Sequence, residues 1–350
     1  MDVVRPRPRA PDRRPSGRAR ARLRGVVSIA YTVWFERPGT ASLRREPLRD
    51  PGEGEVRVRA LCSAVSAGAE RLVLRGEVPP GMRGSFAFPL AYPAALVGTI
   101  EAAGPGVPGD RIGERALLVH PHQDVIVAPM DALVPLATGR GAPPAPRLTL
   151  APALEVALSA VWDAAIALGD RVVVTGLGVI GLLVARLARR AGAASVLGVD
   201  PDPDRAALAL ALGVTEATRS TSARAVEEAD VLIEASGAPA ALADLLAHAG
   251  PEARIVVVSW YGREPASLPL GGPFFSRRAS LVASDASSAP RRARWTRERR
   301  LALACELLED DALDRLIAPS VPLSEASALY DELARGVVWT PPHRVLDPRR

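Results

Sequence analysis

The sequence predicts an α/β protein in two parts, a β-rich first portion and then a doubly wound parallel sheet. Three observations carry this prediction: short β-type runs broken by Gly and Pro up to about residue 146, a regular alternation of apolar strands and helices over residues 171–259, and a glycine-rich turn at 176–181 where one such strand passes into a helix. At 350 residues, 48% apolar and 24% charged, the chain can bury a core without disulfides or a structural metal.

The elements follow in order. Residues 1–25 hold nine Arg and two Asp and read as a disordered extension; a basic arm for nucleic acid or a membrane surface is the lesser alternative. Residues 26–35 form the first strand, closed by a turn at Glu36-Arg37-Pro38-Gly39. Residues 55–60 alternate as a half-buried strand does, and 116–119 and 124–128 are further strands. A Gly/Pro/Ala connector over 139–146 gives way to helical periodicity over 152–168. Strands at 171–175, 195–199, 230–235 and 254–259 then alternate with helices at 179–191, 203–212 and 238–249. Continuous apolar strands separated by helices imply a parallel sheet covered on both faces, which binds ligands beyond the carboxyl ends of its strands. A helix at about 291–308, another near 324–334 and a strand at 343–346 close the chain.

Composition excludes several chemistries. All 44 basic residues are Arg, and there is no Lys and no Asn. No Schiff base, P-loop lysine or tyrosine–lysine pair can therefore form, and no N-glycosylation site exists. Cys62 and Cys305 are the only cysteines, which suits a reducing cytoplasm. Beyond residue 25 the chain carries 35 Arg against 37 acids, so no nucleic-acid partner is expected. Glu155 and Asp163 interrupt the apolar stretch 148–168, and no segment reads as a membrane span.

The turn Thr175-Gly176-Leu177-Gly178-Val179-Ile180-Gly181 follows a strand of three valines and opens a helix, the context a dinucleotide-binding G-x-G-x-x-G requires. Gly176 makes the tight turn, Gly178 lets backbone approach a pyrophosphate, and Gly181 seats the helix on the sheet, while Val179 and Ile180 supply amides at the helix amino end. Nineteen residues after Gly181, Asp200 ends the next strand, placed to accept hydrogen bonds from ribose hydroxyls. Its charge favours NAD over NADP, although Arg205 nearby could hold a 2′-phosphate. Ser236 borders the adenine side, and Trp260 approaches the nicotinamide or simply packs at a strand end.

With these residues in view, the chain resembles the medium-chain dehydrogenase/reductase superfamily, of the zinc alcohol dehydrogenase and threonine dehydrogenase type. The run from Ser63 through Glu70, together with Leu74-Arg75-Gly76-Glu77-Val78-Pro79-Pro80, is similar to a bacterial branch described as zinc-binding dehydrogenases. The resemblance implies a GroES-like catalytic domain over 26–150, a Rossmann NAD-binding domain over 151–285, and a segment over 286–350 returning to the first domain. It also implies a homodimer by analogy.

The departures from that pattern bear on mechanism. The position of the first zinc-ligand cysteine falls on Ala67, the Gly-His-Glu motif on Pro93-Ala94-Ala95, the relay hydroxyl on Ala69, and a further ligand position of some relatives on Glu155. Neither a catalytic zinc nor the cysteine-rich zinc lobe is expected. His120 and His122 could share a face, but no third ligand goes with them. Tyr92 is the first candidate proton donor, followed by Ser66 and His122, the latter lining the cleft; Glu155 orients a donor or is a core acid, and Glu70 is structural. The reading is a cytoplasmic, zinc-independent oxidoreductase passing hydride between NAD(H) and a small alcohol or carbonyl. The alternatives are a quinone or enoyl reductase, or a silent dinucleotide-binding sensor.

Overall fold

The computed structural model describes residues 28–220, 229–286 and 294–349. The extension of residues 1–25 and the start of the helix expected from 291 lie outside them.

A hairpin opens the described chain, β1 (Ser28–Arg37) against β2 (Thr40–Leu48), turned at Pro38-Gly39. The hub of the first sheet is β3 (Glu55–Val65). It pairs antiparallel with β4 (Pro93–Ala103) and, over its first half, with β6 (Val125–Pro129), while β5 (Arg115–Pro121) and β7 (Val134–Pro135) extend the sheet beyond β4. Val56, Val58 and Ala60 on alternate positions of β3 are at most 1% exposed, as a strand with one face in the core demands. Helix α1 (Ala67–Leu74) follows β3 directly and buries Val73 and Leu74.

Helix α2 (Ala151–Ala164) carries the chain toward the second sheet. It ends before the expected residue 168 because Ala165 turns left-handed and the Asp170 carboxylate accepts the Ala167 N–H at 2.7 Å, closing a turn. Six parallel strands follow: β8 (Arg171–Thr175), β9 (Ser195–Val199), β10 (Glu216–Thr218), β11 (Val231–Glu234), β12 (Arg254–Val257) and β13 (Ser280–Ala283). Helices α3 (Val179–Ala191), α4 (Pro203–Ala211) and α5 (Pro239–Ala247) connect some of them. The spatial order β10-β9-β8-β11-β12-β13 is the doubly wound arrangement, and its direction reverses between β8 and β11. Edge strands β10 and β13 add to the expected ones.

Helix α6 (Arg297–Leu307) packs on α2. The chain then passes through β14 (Val321–Pro322) and α7 (Ala326–Arg335), and β15 (Arg344–Asp347) joins β3 antiparallel, so the carboxyl end completes the first sheet. One apolar core runs from Cys62, Val97 and Leu117 through Leu154 and Val161 of α2 to Val172 and Val174. This continuity fixes the two sheets against each other. Among the described residues no helix is long and apolar enough to cross a membrane.

Candidate nucleotide site and cleft

The glycine turn sits where the sheet order reverses. Gly176 has φ +89, and a Cβ there would lie 2.4 Å from Ser236 Cα, so the turn after β8 presses on the backbone after β11. A Cβ on Gly181 would lie 1.7 Å from the Gly176 carbonyl oxygen, which is why α3 can start so close to the strand it follows. Gly178 differs from both. Nothing lies within 4 Å of the Cβ it lacks, and no side chain caps the helix it precedes. The first amides of α3, those of Val179, Ile180 and Gly181, are thus left uncapped by any side chain, and the positive end of the helix dipole lies behind them, a ready anion site.

Asp200, 4% exposed at the end of β9, accepts the Leu177 N–H (2.8 Å) on one oxygen and the Asp202 N–H (2.9 Å) on the other. These bonds pin the carboxylate beside the turn, and each oxygen keeps a further lone pair. Arg205 lies 3.7 Å from Asp200 and 4.0 Å from Asp202, and donates to the Trp339 carbonyl at 3.3 Å. Thr340 donates to Asp202 at 3.1 Å, so the segment before β15 reaches across to the nucleotide side. Ser236 donates to the fully buried Glu234, whose other oxygen receives the Tyr261 hydroxyl at 2.6 Å; burial and that carboxylate raise the Tyr261 phenol. Ser236 is therefore a fastener of the turn at the strand end. The donor set and open backbone fit a dinucleotide.

Beyond the end of β12 the chain crosses to the first sheet. A Cβ on Gly262, φ +63, would lie 2.3 Å from the Glu77 carbonyl, which also accepts the Arg263 N–H at 2.9 Å. This close approach brings Trp260 against Phe86, ring centroids 6.2 Å apart, and Phe86 stacks on Tyr92 at 6.2 Å. Tyr92 is half-buried, and among the described residues its hydroxyl has no hydrogen-bond partner. Burial, with the Glu70 charge adding to it, pushes its phenol up to about 12. At neutral pH it is a proton donor and not a base.

His122 is a correction to the expected cleft-lining role: it is 1% exposed, beneath the cleft and not on its wall. Its Nδ1 lies 2.6 Å from Ser63 Oγ and its Nε2 3.5 Å from Glu70 Oε2. Glu70, 0% exposed, also receives the Tyr330 hydroxyl and the Ser66 N–H (2.7 Å). Ser63, Glu70, His122 and Tyr330 thus form one buried polar network, which the Ser66 N–H joins from the exposed start of α1; Glu70, Ser63 and Tyr330 escaped the sequence reading as partners. Only contacts between residues as far as 260 apart reveal them. Ser66 itself is exposed at the start of α1 with an uncommitted hydroxyl.

Glu155 does not reach the cleft. Its carboxylate takes both Nε (3.0 Å) and Nη2 (2.8 Å) of Arg300, with the two side chains 10% and 5% exposed. The pair is buried between α2 and α6. Ala67 and Ala94 offer methyl groups, and among the described residues no three His, Cys, Asp or Glu side chains converge as metal ligands. His120 turns its Nδ1 to the Pro121 carbonyl, and burial lowers its imidazole below the usual range. The residues present do not fit a catalytic zinc, which takes three protein ligands.

A family model for zinc-binding dehydrogenases matches residues 179–303. The D-guloside 3-dehydrogenase of Escherichia coli is 33% identical over 189 residues, 50% of this chain and 54% of that one, so the chain spans about half the length of this relative. A zinc-binding dehydrogenase from Sinorhizobium meliloti, solved bound to NADP, superposes with a TM-score of 0.74 at 20% identity over 92% of this chain and 100% of its own. A short chain alcohol dehydrogenase from E. coli, complexed with NADH, gives 0.73 at 17% over 91% and 99%. At these identities the structural likeness is one of fold: a GroES-like β domain joined to a Rossmann domain.

Proposed function

We propose that this chain, which belongs to the medium-chain dehydrogenase/reductase superfamily, is an oxidoreductase that interconverts a small carbonyl compound and its alcohol with NAD(H) and without zinc. The observation that carries the reading is the uncapped start of α3 behind the open Gly178, flanked by Asp200. Val179, Ile180 and Gly181 would hold the pyrophosphate through backbone N–H groups, and Asp200 the adenosine ribose. A bound nicotinamide supplies the hydride equivalent.

Residues of the first sheet do the rest. In the direction of reduction, Tyr92 would give its hydroxyl proton to the oxygen of the carbonyl being reduced and regain one from water. A neutral donor aimed at a developing oxyanion contributes about 2.7–4 kcal/mol, part of what a zinc ion would otherwise supply. Preference for NAD over NADP is supported by the buried Asp200 and by the engagement of Arg205 with Asp200, Asp202 and the Trp339 carbonyl, which leaves that guanidinium poorly placed for a 2′-phosphate.

The test is NADH oxidation over a panel of aldehydes and ketones, with protein dialysed against a chelator. Turnover unaffected by added Zn²⁺, and reduced roughly 100- to 1,000-fold by Tyr92→Phe with NADH affinity unchanged, is the expected result. Turnover that appears only with zinc refutes the mechanism. Saturable NADH binding without turnover of any compound favours a silent sensor.

A further inference from the structure

We infer that Thr340 is a positioning residue for the nucleotide site: from the segment that returns to the first sheet it clasps the loop carrying Asp200, so cofactor affinity depends on a bond made from the other side of the molecule. The inference rests on the dinucleotide reading above and adds how the acid of that site is held.

Residues 336–343 join α7 to β15 across the surface, where Val337 and Val338 are 44% and 58% exposed. Trp339 anchors this strap. It is buried with Tyr330 and Leu346 in the core beside the first sheet and donates its Nε1–H to Glu332 of α7 at 3.1 Å. Two groups next to that anchor reach the nucleotide side: the Trp339 carbonyl accepts from Arg205 at 3.3 Å, and Thr340 Oγ1 donates to Asp202 Oδ2 at 3.1 Å.

The bonds continue to the ribose acid. Asp202 donates its N–H to Asp200 Oδ1 at 2.9 Å, and its own Oδ1 caps α4 by accepting the Asp204 N–H at 2.9 Å, which leaves Oδ2 for Thr340. Arg205 spreads its three nitrogens over Asp200 (Nη1, 3.7 Å), Asp202 (Nε, 4.0 Å) and the Trp339 carbonyl (Nη2, 3.3 Å). Residues 200–205 are thus tied at two points to a strap whose anchor belongs to the first sheet. A carboxylate that is already fixed binds hydroxyls better than one whose loop must be ordered at the moment of binding. The coupling is also reciprocal: whatever Thr340 adds to cofactor affinity, bound cofactor adds to the hold on the strap.

The test is calorimetric titration of NADH into the full chain and into its Thr340→Val and Thr340→Ser variants. Valine keeps the shape of threonine and removes the hydroxyl; serine keeps the hydroxyl. The expected result is an NADH Kd raised about tenfold in Thr340→Val and within about twofold of wild type in Thr340→Ser. A merely structural threonine would lower the melting temperature and leave Kd where it was. An unchanged Kd in Thr340→Val overturns the inference and leaves the dinucleotide reading standing, and so does a serine variant as weak as the valine one. Absence of saturable NADH binding by wild type overturns both. Should Thr340→Val fail to fold, amide hydrogen exchange of wild type decides the matter. The Val337 N–H donates to the Glu332 carbonyl at 3.1 Å and the His343 N–H to the Leu316 carbonyl at 3.0 Å, so these two amides bracket the strap and report its opening. Slower exchange of both with NADH bound supports the clasp, and unchanged exchange overturns it.

Discussion

Two glycines three residues apart in one turn should fail in opposite ways when each is replaced by alanine. At Gly181 the added methyl would sit 1.7 Å from the Gly176 carbonyl oxygen, backbone against backbone, so α3 must shift off the sheet. Overpacking of this kind costs about 1–3 kcal/mol, and the severity of the overlap puts Gly181→Ala at the upper end, a fall in Tm of about 4 °C for a chain of this length. At Gly178 the methyl meets nothing within 4 Å and φ is −71°, ordinary for any residue. Stability should change by less than about 1 kcal/mol, as for any alanine replacing a glycine at a helix start. The same methyl stands where a pyrophosphate must approach the α3 amides. Losing one hydrogen bond to a charged group costs about 1.5–3 kcal/mol, or roughly ten- to over a hundredfold in Kd. Scanning calorimetry and NADH titration on both variants separate these effects. If Gly178→Ala keeps wild-type stability and binds NADH within twofold of wild type, the assignment of this turn to a nucleotide is wrong.

Three further outcomes follow from the buried polar groups. Glu155→Ala strands the Arg300 guanidinium at 5% side-chain exposure and should cost about 3–5 kcal/mol in denaturant melts, whereas replacing both partners by Met should cost far less; equal losses would show that the pair is not what matters. Tyr330→Phe removes one of the donors to the fully buried Glu70 and should cost about 1–3 kcal/mol, an unchanged urea midpoint being the contrary result. Burial holds the His343 imidazole down to about 4, below its ordinary 6.5. The unfolded chain therefore takes up this proton first. The stabilisation is complete above about pH 6.5 and is lost as pH falls toward 4, an order of about 3 kcal/mol, and His343→Gln should flatten the acid limb of the stability curve over that window.

The parts legible in the sequence were those encoded by neighbours along the chain. The valine strand, the glycine turn and the acid ending β9 lie within 30 residues and carry their own pattern, so the parallel sheet and its ligand-binding end could be read directly. Strand β4 hid itself because Gly98 interrupts its apolar run. That glycine is required from outside: a Cβ there would lie 2.4 Å from Val58 Cγ1 and 2.7 Å from the Arg59 carbonyl. Strand β2 is half-exposed along most of its length and carries Arg44, Arg45 and Glu46, so its amphipathic signal is weak. The cleft was only half visible. Tyr92 and Trp260 stood out as residue types, but their meeting through Phe86 depends on the Gly262–Glu77 approach between segments about 185 residues apart. His122 carried a chemical suggestion, yet only the fold shows that Ser63 and Glu70 hold it away from the open cleft.

The central claim is that this turn and its acid bind a pyridine dinucleotide, and calorimetric titration of the full chain with NADH and NADPH tests it most directly. One saturable site per chain is expected for NADH, with NADPH at least tenfold weaker because the buried Asp200 carboxylate stands beside the ribose position. No saturation by either nucleotide at millimolar concentration would contradict it.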